Sequence, residues 1–325
     1  MGNDAHVPVL LEETLEALSP RVGETVVDCT AGRGGHAAAM ASRVGPTGRV
    51  VLLDVDPANL AAASARVEAM GVPVVGIRDS FVRLGVRLRE RDIVADVVLA
   101  DLGFSSNQMD DPERGLSFRA DGPLDMRLDP NGPVTAADLV RTLSERELAE
   151  IIFRYGEEPL SRPIARKLAE TRKDQPILTT ARLAELVTEA YGSRARSSRR
   201  HPATRTFMAL RIAVNDELGA LAALLEDLAA AATSSVGDWL GSSARIGIIS
   251  FHSLEDRLVK RAFQALVARG QATAVTRKPV IASEAEAVAN ARARSAKFRA
   301  VQLGSRQDGA PGSFSPVGTD PSDPR

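Results

Sequence analysis

Thiols and aromatic rings are scarce in this chain. Of 325 residues only Cys29 is a cysteine, and Trp, Tyr and Phe together make up 4%. A single cysteine excludes a disulfide framework and any zinc site built from several thiolates. The four histidines, His6, His36, His201 and His252, contain no H-x-x-x-H pair, so no dedicated metal site is expected. No apolar run reaches the ~18 residues of a membrane span; the longest candidate, 218–236, is broken by Glu226 and Asp227. The N-terminal stretch carries Asp4, Glu12 and Glu13 and has no basic start followed by an apolar segment, which argues against a secretion signal. Met1-Gly2 also fails the myristoylation pattern. A reduced, cytoplasmic protein with no membrane partner is expected.

Net charge is nearly absent too, with 41 basic and 42 acidic side chains. Their distribution is uneven. Between Glu189 and Asp216 there is no acid, but there are Arg194, Arg196, Arg199, Arg200, Arg205 and Arg211. Between Glu286 and Asp308 the charged residues are Arg292, Arg294, Lys297, Arg299 and Arg306. Two acid-free basic runs in a neutral protein fit a local polyanion site, and equally a solvated face.

The first hundred residues alternate short apolar strands with helical segments. Strands are expected at 25–29, 50–53, 74–77 and 97–100, and helices at 35–44 and 58–70. This alternation predicts a parallel sheet covered by helices on both faces. From 108 to 133 the chain reads as a Gly/Pro/Asp-rich loop. Residues 135–225 read as helices, with Thr135, Ser144 and Thr179 as N-caps and Ser144-x-x-Glu147 as a capping box. A buried strand at 245–251, a helix at 254–267 and strands at 274–280 and 298–303 then complete the sheet. The domain reading is a first sheet portion at 1–107, a helical insertion at 108–212, a second sheet portion at 213–303 and a disordered tail at 304–325.

After the first strand comes Asp28-Cys29-Thr30-Ala31-Gly32-Arg33-Gly34-Gly35-His36-Ala37. Glycines at a strand-to-helix turn let a ligand approach the backbone closely. Gly32-x-Gly34-x-x-Ala37 satisfies the dinucleotide pattern, with Asp54 ending the second strand at the ribose position. Asp28 disfavours a pyrophosphate, because its carboxylate would repel one. It suits S-adenosylmethionine, whose amino and sulfonium groups are cationic, and D-x-x-x-G-x-G resembles the first motif of class I methyltransferases. A nicotinamide oxidoreductase stays open on the glycine pattern alone, although no hydride-site pair accompanies it. A non-catalytic RNA-binding protein on a dead methyltransferase fold is the third reading.

Longer motifs narrow the choice. They are His6-x-Pro8-Val9-Leu10, Gly32-x-Gly34-Gly35-His36, Asp101-Leu102-Gly103-Phe104-Ser105-Ser106-x-Gln108-x-Asp110, Arg114-Gly115-Leu116-Ser117-Phe118 and Asp121-Gly122-Pro123-Leu124-Asp125-Met126-Arg127. His201-Pro202-Ala203-Thr204-Arg205-Thr206-Phe207, Ile249-Ser250-Phe251-His252-Ser253-Leu254-Glu255-Asp256-Arg257 and Arg292-Ala293-Arg294-Ser295-Ala296-Lys297 follow. In this order, from about residue 6 to 300, they closely resemble the bacterial ribosomal RNA small-subunit methyltransferase H family. The resemblance implies an α/β class I (Rossmann-like) methyltransferase sheet with an inserted helical domain. It also implies S-adenosylmethionine as cofactor, and methylation of the N4 amine of a cytosine in the decoding region of small-subunit (16S) ribosomal RNA. The RNA or the small ribosomal subunit would be the partner, and a homodimer stays open. The cofactor positions it implies are Gly34, Gly35, His36, Asp54, Phe81, Asp101 and Gln108. Leu116, Leu128, Met208 and Ala291 depart from the residues usual in the family, and all four lie outside those positions.

A cytosine amine is a weak nucleophile, so the catalyst must orient its lone pair and accept its N–H groups; alignment at about 3–3.5 Å supplies much of the rate. Asp101 is the candidate acceptor, since the D/N/S-P-P-Y loop of amino-methylating DNA enzymes is replaced here by Asp101-Leu102-Gly103-Phe104. The alternative is that Asp101 serves only the cofactor or caps the next turn. His252, after the fifth strand, is a base or phosphate contact or a hydrogen-bonded core histidine. His201 is read as an RNA contact, Trp239 and Tyr155 as core, and Cys29 as a buried filler.

Overall fold

The computed structural model describes residues 8–197, 201–233 and 238–304. Seven strands form one sheet: β1 (Thr25–Asp28), β2 (Arg49–Leu53), β3 (Val74–Ile77), β4 (Ala95–Asp101), β5 (Leu240–Ser250), β6 (Ala272–Ala274) and β7 (Lys297–Leu303). Their order is β3-β2-β1-β4-β5-β7-β6. The first five are parallel, and β7 runs antiparallel to β5 and to β6.

Alternating side chains within each strand go to opposite faces. Val27, Val51 and Val98 join one core with Leu224, Leu228 and Phe263 from helices Glu217–Thr233 and Ser253–Ala268. Their neighbours Val26, Val50 and Val97 join the other core, with Leu15, Met40 and Val67 from helices Leu11–Leu18, Gly35–Val44 and Pro57–Glu68. This two-sided burial explains the continuous apolar runs of the strands. Among the described residues no helix is long and apolar enough to cross a membrane.

Between β4 and β5, among the described residues, five α-helices from Ala136 to Asn215 form the insertion, and Glu217–Thr233 returns to the sheet. Residues from 116 to 210 alone supply a third core, with Leu124, Met126, Ile152, Leu168, Leu183 and Phe207 inside it. Thr135, Ser144 and Thr179 each cap a helix, and the Ser144–Glu147 capping box forms as expected.

Several boundaries differ from the sequence reading. The strand expected at 274–280 is only Ala272–Ala274, with Val280 adding an isolated bridge to Phe298. β5 begins five residues early, because Leu240 pairs with Ala95 before a register shift. The edge placed at 212 falls inside helix Ala203–Asn215, which turns only at Asp216 with φ 46°. The edge at 107 falls inside helix Ser106–Asp110. Helices Leu11–Leu18, Leu84–Arg89 and Glu284–Ala289 escaped the reading, being short. Of the tail only Gly304 lies within the described residues, with its N–H on Gln271 O at 3.1 Å. The 108–133 loop is fixed in place: Met126 N–H bonds Arg114 O at 3.0 Å. A Cβ on Gly115 would strike Pro123 O, and one on Gly122 would strike Pro112 O, so its glycines are steric requirements.

In the middle of β5 a Cβ on Gly247 would stand 2.6 Å from the Phe298 ring and 3.1 Å from Leu18. Overpacking of this kind costs roughly 1–3 kcal/mol. Gly247→Ala is therefore expected to lower the stability read from denaturant unfolding by that much without changing the slope; an unaltered midpoint would show that Phe298 relaxes freely.

Candidate cofactor and substrate cleft

The carboxyl ends of β1, β2 and β4 converge on one cleft of about 1230 Å3. It is lined by Asp28, Asp54 and Asp101 together with Gly35, His36, Phe81 and Gln108. A parallel sheet forces this convergence, because every strand ends at the same edge and the chain leaves through a loop there.

Asp28 is 2% exposed, and its Oδ1 accepts the Thr30 N–H at 3.1 Å. Burial pushes its carboxyl up to about 7, aided by Asp54 and opposed by Thr30. Asp54 is raised to about 6, again chiefly by burial, although its carboxylate accepts from Gly32 N at 2.9 Å and Asp56 N at 2.8 Å. Asp101 is pushed well above the ordinary carboxylate range by burial, then by Asp28 and Glu255. Its Oδ2 lies 3.6 Å from His36 Nδ1, and its buried Oδ1 has no hydrogen-bond partner. Three desolvated acids thus face one cleft.

The glycine loop offers less to an anion than its pattern suggested. The Gly32 N–H is held by Asp54, and the Gly34 N–H by Ala31 O at 2.8 Å. Neither amide points at a pyrophosphate, which removes the support for a nicotinamide cofactor. Gly34, at φ 76°, does not line the cleft; a Cβ there would stand 2.8 Å from Ala63 Cα, so it lets helix Pro57–Glu68 close onto the loop. Gly35 is packed as tightly against Pro8, where a Cβ would come within 2.5 Å of Cγ. His36 Nε2 lies 3.0 Å from Val9 O.

Gln108 lines the cleft and is also bonded within the protein. Its Oε1 accepts from Ser105 N at 3.0 Å, and its Nε2 donates to Asp56 Oδ2 at 3.0 Å. Arg114 reaches the same Asp56 oxygen at 3.0 Å, and Asn59 donates to Ser105 Oγ at 3.2 Å. This network sews the loop after β4 to the start of helix Pro57–Glu68. Asp56 and Asn59 were missed from sequence. Asp56-Pro57 carried the signal, an N-cap acid followed by proline at the first helical position.

A second wall is contributed by the insertion and by the segment after β5. Arg211 grips Glu217 with two bonds of 2.7 and 2.8 Å and lies 4.8 Å over the Phe104 ring. Burial weakens the Arg211 cation, but Glu217 more than offsets this. His252 caps helix Ser253–Ala268, and Glu255 accepts from Phe251 N at 2.8 Å. Burial raises the Glu255 carboxyl, yet His252, Phe251 and Arg211 bring it below its ordinary value. Ligand atoms of Glu217, His252 and Glu255 lie within 4.8 Å of one another, the spacing of a metal site. The Arg211 guanidinium already holds both Glu217 oxygens and supplies the positive charge there. His201 stacks on Phe118 at 4.6 Å, and Trp239 is core at 1% exposure.

The basic runs come apart in three dimensions. Arg211 pairs with Glu217, and Lys297 and Arg299 both pair with Asp256, at 3.4 and 2.7 Å. Acids outside these runs thus absorb the cations. Arg199, Arg200 and Arg306 lie outside the described residues, as does His6. The cleft carries Arg292 from the second run, with Arg33, Arg66 and Arg119 from outside both, along its lining, all four more exposed than the acidic floor residue Asp28.

The sheet order and the acid-floored cleft define a class I methyltransferase. The profile of the MraW methylase family matches residues 3–303, and the chain belongs to that family. Relatives named ribosomal RNA small subunit methyltransferase H are 46% identical over 313 residues in Anaeromyxobacter sp. (strain K), covering 91% of this chain and 97% of the relative. In Synechococcus sp. (strain RCC307) the figures are 48% over 300 residues, with 91% and 95% covered, and in Heliobacterium mobile 43% over 315, with 91% and 98%. S-adenosyl-L-methionine is the methyl donor, and the carboxylate floor fits its cationic amino and sulfonium groups.

The raised carboxyls set two pH dependences. Asp28 holds its proton more tightly folded, near 7, than at its ordinary 3.8. Its stabilising contribution is complete below about pH 4 and is lost as pH rises through 7. The protein without ligand is therefore expected to lose stability from about pH 4 to 7, and Asp28→Asn to flatten that slope. A cationic ligand favours the ionised acids, so binding of S-adenosylmethionine near pH 6 should release protons. Calorimetry in buffers of different ionisation enthalpy checks this; zero proton release would contradict the pairing.

Proposed function

We propose that this protein transfers a methyl group from S-adenosylmethionine to the N4 amine of a cytosine in the decoding region of small-subunit ribosomal RNA. The observation that carries the reading is the cleft's charge order. Acids form its floor, arginines lie along its more exposed lining, and Asp101 places an unpartnered acceptor within it. A cationic cofactor fits the floor, and a phosphate backbone fits the arginines. The segment 108–212 forms the RNA-facing wall in this proposal, with Phe104 and Arg211 where it joins the sheet.

Within the cleft Gly35, His36 and Asp28 border the methionine end of the cofactor, Asp54 meets the ribose and Phe81 flanks the adenine. Gly34 and Gln108 act through the shape of the loop and of the cleft wall. Bound S-adenosylmethionine supplies a methyl group on a sulfonium, which leaves as a neutral thioether. Asp101, ionised by that cation, accepts an N–H of the amine and turns the nitrogen lone pair toward the methyl. It can also take the proton the nitrogen sheds after the N–C bond forms. Methylation at ring carbon 5 would instead need a thiolate nucleophile. Cys29 is 2% exposed, and burial followed by Asp28 holds its thiol well above the ordinary range. This supports an amine target.

Nucleoside mass spectrometry of methylated small-subunit RNA is expected to yield N4-methylcytidine. Cys29→Ser should retain most activity, whereas Asp101→Ala should lose at least about 100-fold, as expected for removing a charged acceptor together with cofactor binding. Recovery of 5-methylcytidine would sink the reading. Replacing Arg33, Arg66 and Arg119 by Gln should leave cofactor affinity unchanged and lower the salt slope of RNA binding by roughly 0.7–0.9 for each phosphate no longer neutralised. An unchanged slope would place the RNA elsewhere.

A further inference from the structure

Three residues lining this cleft carry a buried side-chain atom without a hydrogen-bond partner, Asn107 Oδ1 among them, and the other two atoms are chemical opposites. One is Asp101 Oδ1, an acceptor; the other is His252 Nε2. The His252 Nδ1 faces the Glu255 amide at 3.4 Å as the cap of helix Ser253–Ala268. That acceptor role assigns the proton to Nε2 and makes it a donor. Nε2 stands 3.2 Å from Glu255 Oε1 but is not aligned as a hydrogen bond to it. The two residues leave neighbouring parallel strands at the same edge: Asp101 is the register partner of Ile249, and His252 follows three positions on. Buried polar atoms without partners are uncommon, and each calls for an explanation.

We infer that this acceptor–donor pair reads the amidine edge of the target base, Asp101 receiving the exocyclic N4–H and His252 Nε2–H donating to the ring nitrogen N3. The assignment rests on the cytosine reading above and adds a specificity-determining residue to it. Uracil offers the reverse order, an oxygen at position 4 and an N–H at position 3, so it would set acceptor against acceptor and donor against donor. Glu255 is a positioning residue: it fixes the His252 cap and accepts the Phe251 and His252 amides at 2.8 and 3.3 Å. Asp101 Oδ1 and His252 Nε2 are both shut off from solvent, so recognition includes the side-chain rotations that turn them toward the base. A carboxylate turned about its last torsion presents either oxygen, and catalytic hydrogen bonds commonly tighten only in the substrate complex.

The test is a cycle between protein and base. Small subunits are reconstituted with RNA carrying cytidine or 3-deazacytidine, which has C–H in place of N3, at the methylated position. Single-turnover transfer is then measured for the wild type and for His252→Asn. Asparagine preserves the helix cap but is too short to reach the base, and unaltered S-adenosylmethionine affinity by calorimetry verifies the fold. The wild type is expected to lose roughly 10–100-fold on the deaza base, the scale of one unpaired buried hydrogen-bonding group. His252→Asn should lose a similar factor on cytidine and nothing further on 3-deazacytidine. Losses that multiply, or a wild type indifferent to the deaza base, would overturn the role of His252. Mass spectrometry of the cytidine product reports the methyl position separately, so a failure of the N4 reading is distinguishable from a failure of this one.

Discussion

Mutual repulsion among desolvated carboxyl groups is the constraint around which this molecule is arranged. Asp28, Asp54 and Asp101 stand at the ends of three strands of one parallel sheet, and that topology delivers them to the same edge. Each is pushed toward its neutral form by burial and further by a neighbouring acid. The protein tolerates the arrangement through local hydrogen bonds. Thr30 serves Asp28, and Gly32 and Asp56 serve Asp54. Asp101 Oδ1 is left unserved. Stability alone would favour apolar replacements; a cationic ligand gives the buried acids a use.

The rest of the cleft manages charge in the opposite sense. On the second wall, Arg211 pairs with Glu217, and Glu255 is kept ionised inside the protein by His252, the Phe251 amide and Arg211. The floor acids and Glu255 on the wall therefore have carboxyls shifted in opposite directions by their surroundings, a division suited to separate roles in one reaction. The insertion joins the sheet through such pairs: Arg211 with Glu217, Arg114 with Asp56, and Glu157 receiving the Ser253 hydroxyl at 2.9 Å. The insertion and the sheet are thus linked by directional polar contacts as well as by apolar packing.

Much of this was open to inspection in one dimension. Alternation of Val-rich runs with helices identified a doubly covered parallel sheet, because side chains of period two must be apolar on both faces when both are buried. β1, β3 and helix Gly35–Val44 were placed to within a residue. Asp28 ahead of the glycine loop already spoke against a phosphate. Capping boxes were legible because they are built from residues three apart, and the Ser144–Glu147 pair formed as its spacing required. Family motifs supplied the remainder, through residues too scattered for local rules to connect.

Neighbours within a few positions were enough to specify strands, caps, the strand-end acids and the glycine turn, all of which are legible along the chain. Which polar groups were already spent could be known only from the fold. Arg211, Lys297 and Arg299 read as a basic surface until Glu217 and Asp256 were brought beside them. Gln108 read as a ligand contact, and only the fold shows that Asp56, 52 residues away, holds its amide. Gly34 read as part of the ligand loop, and only the fold shows that Ala63 is packed against it. The physical reason is common to all three. A charge, an amide or an open face does its chemistry with whatever the folded chain sets beside it, and those partners lie dozens of residues away in the sequence or, as with Glu217, across the turn between two helices.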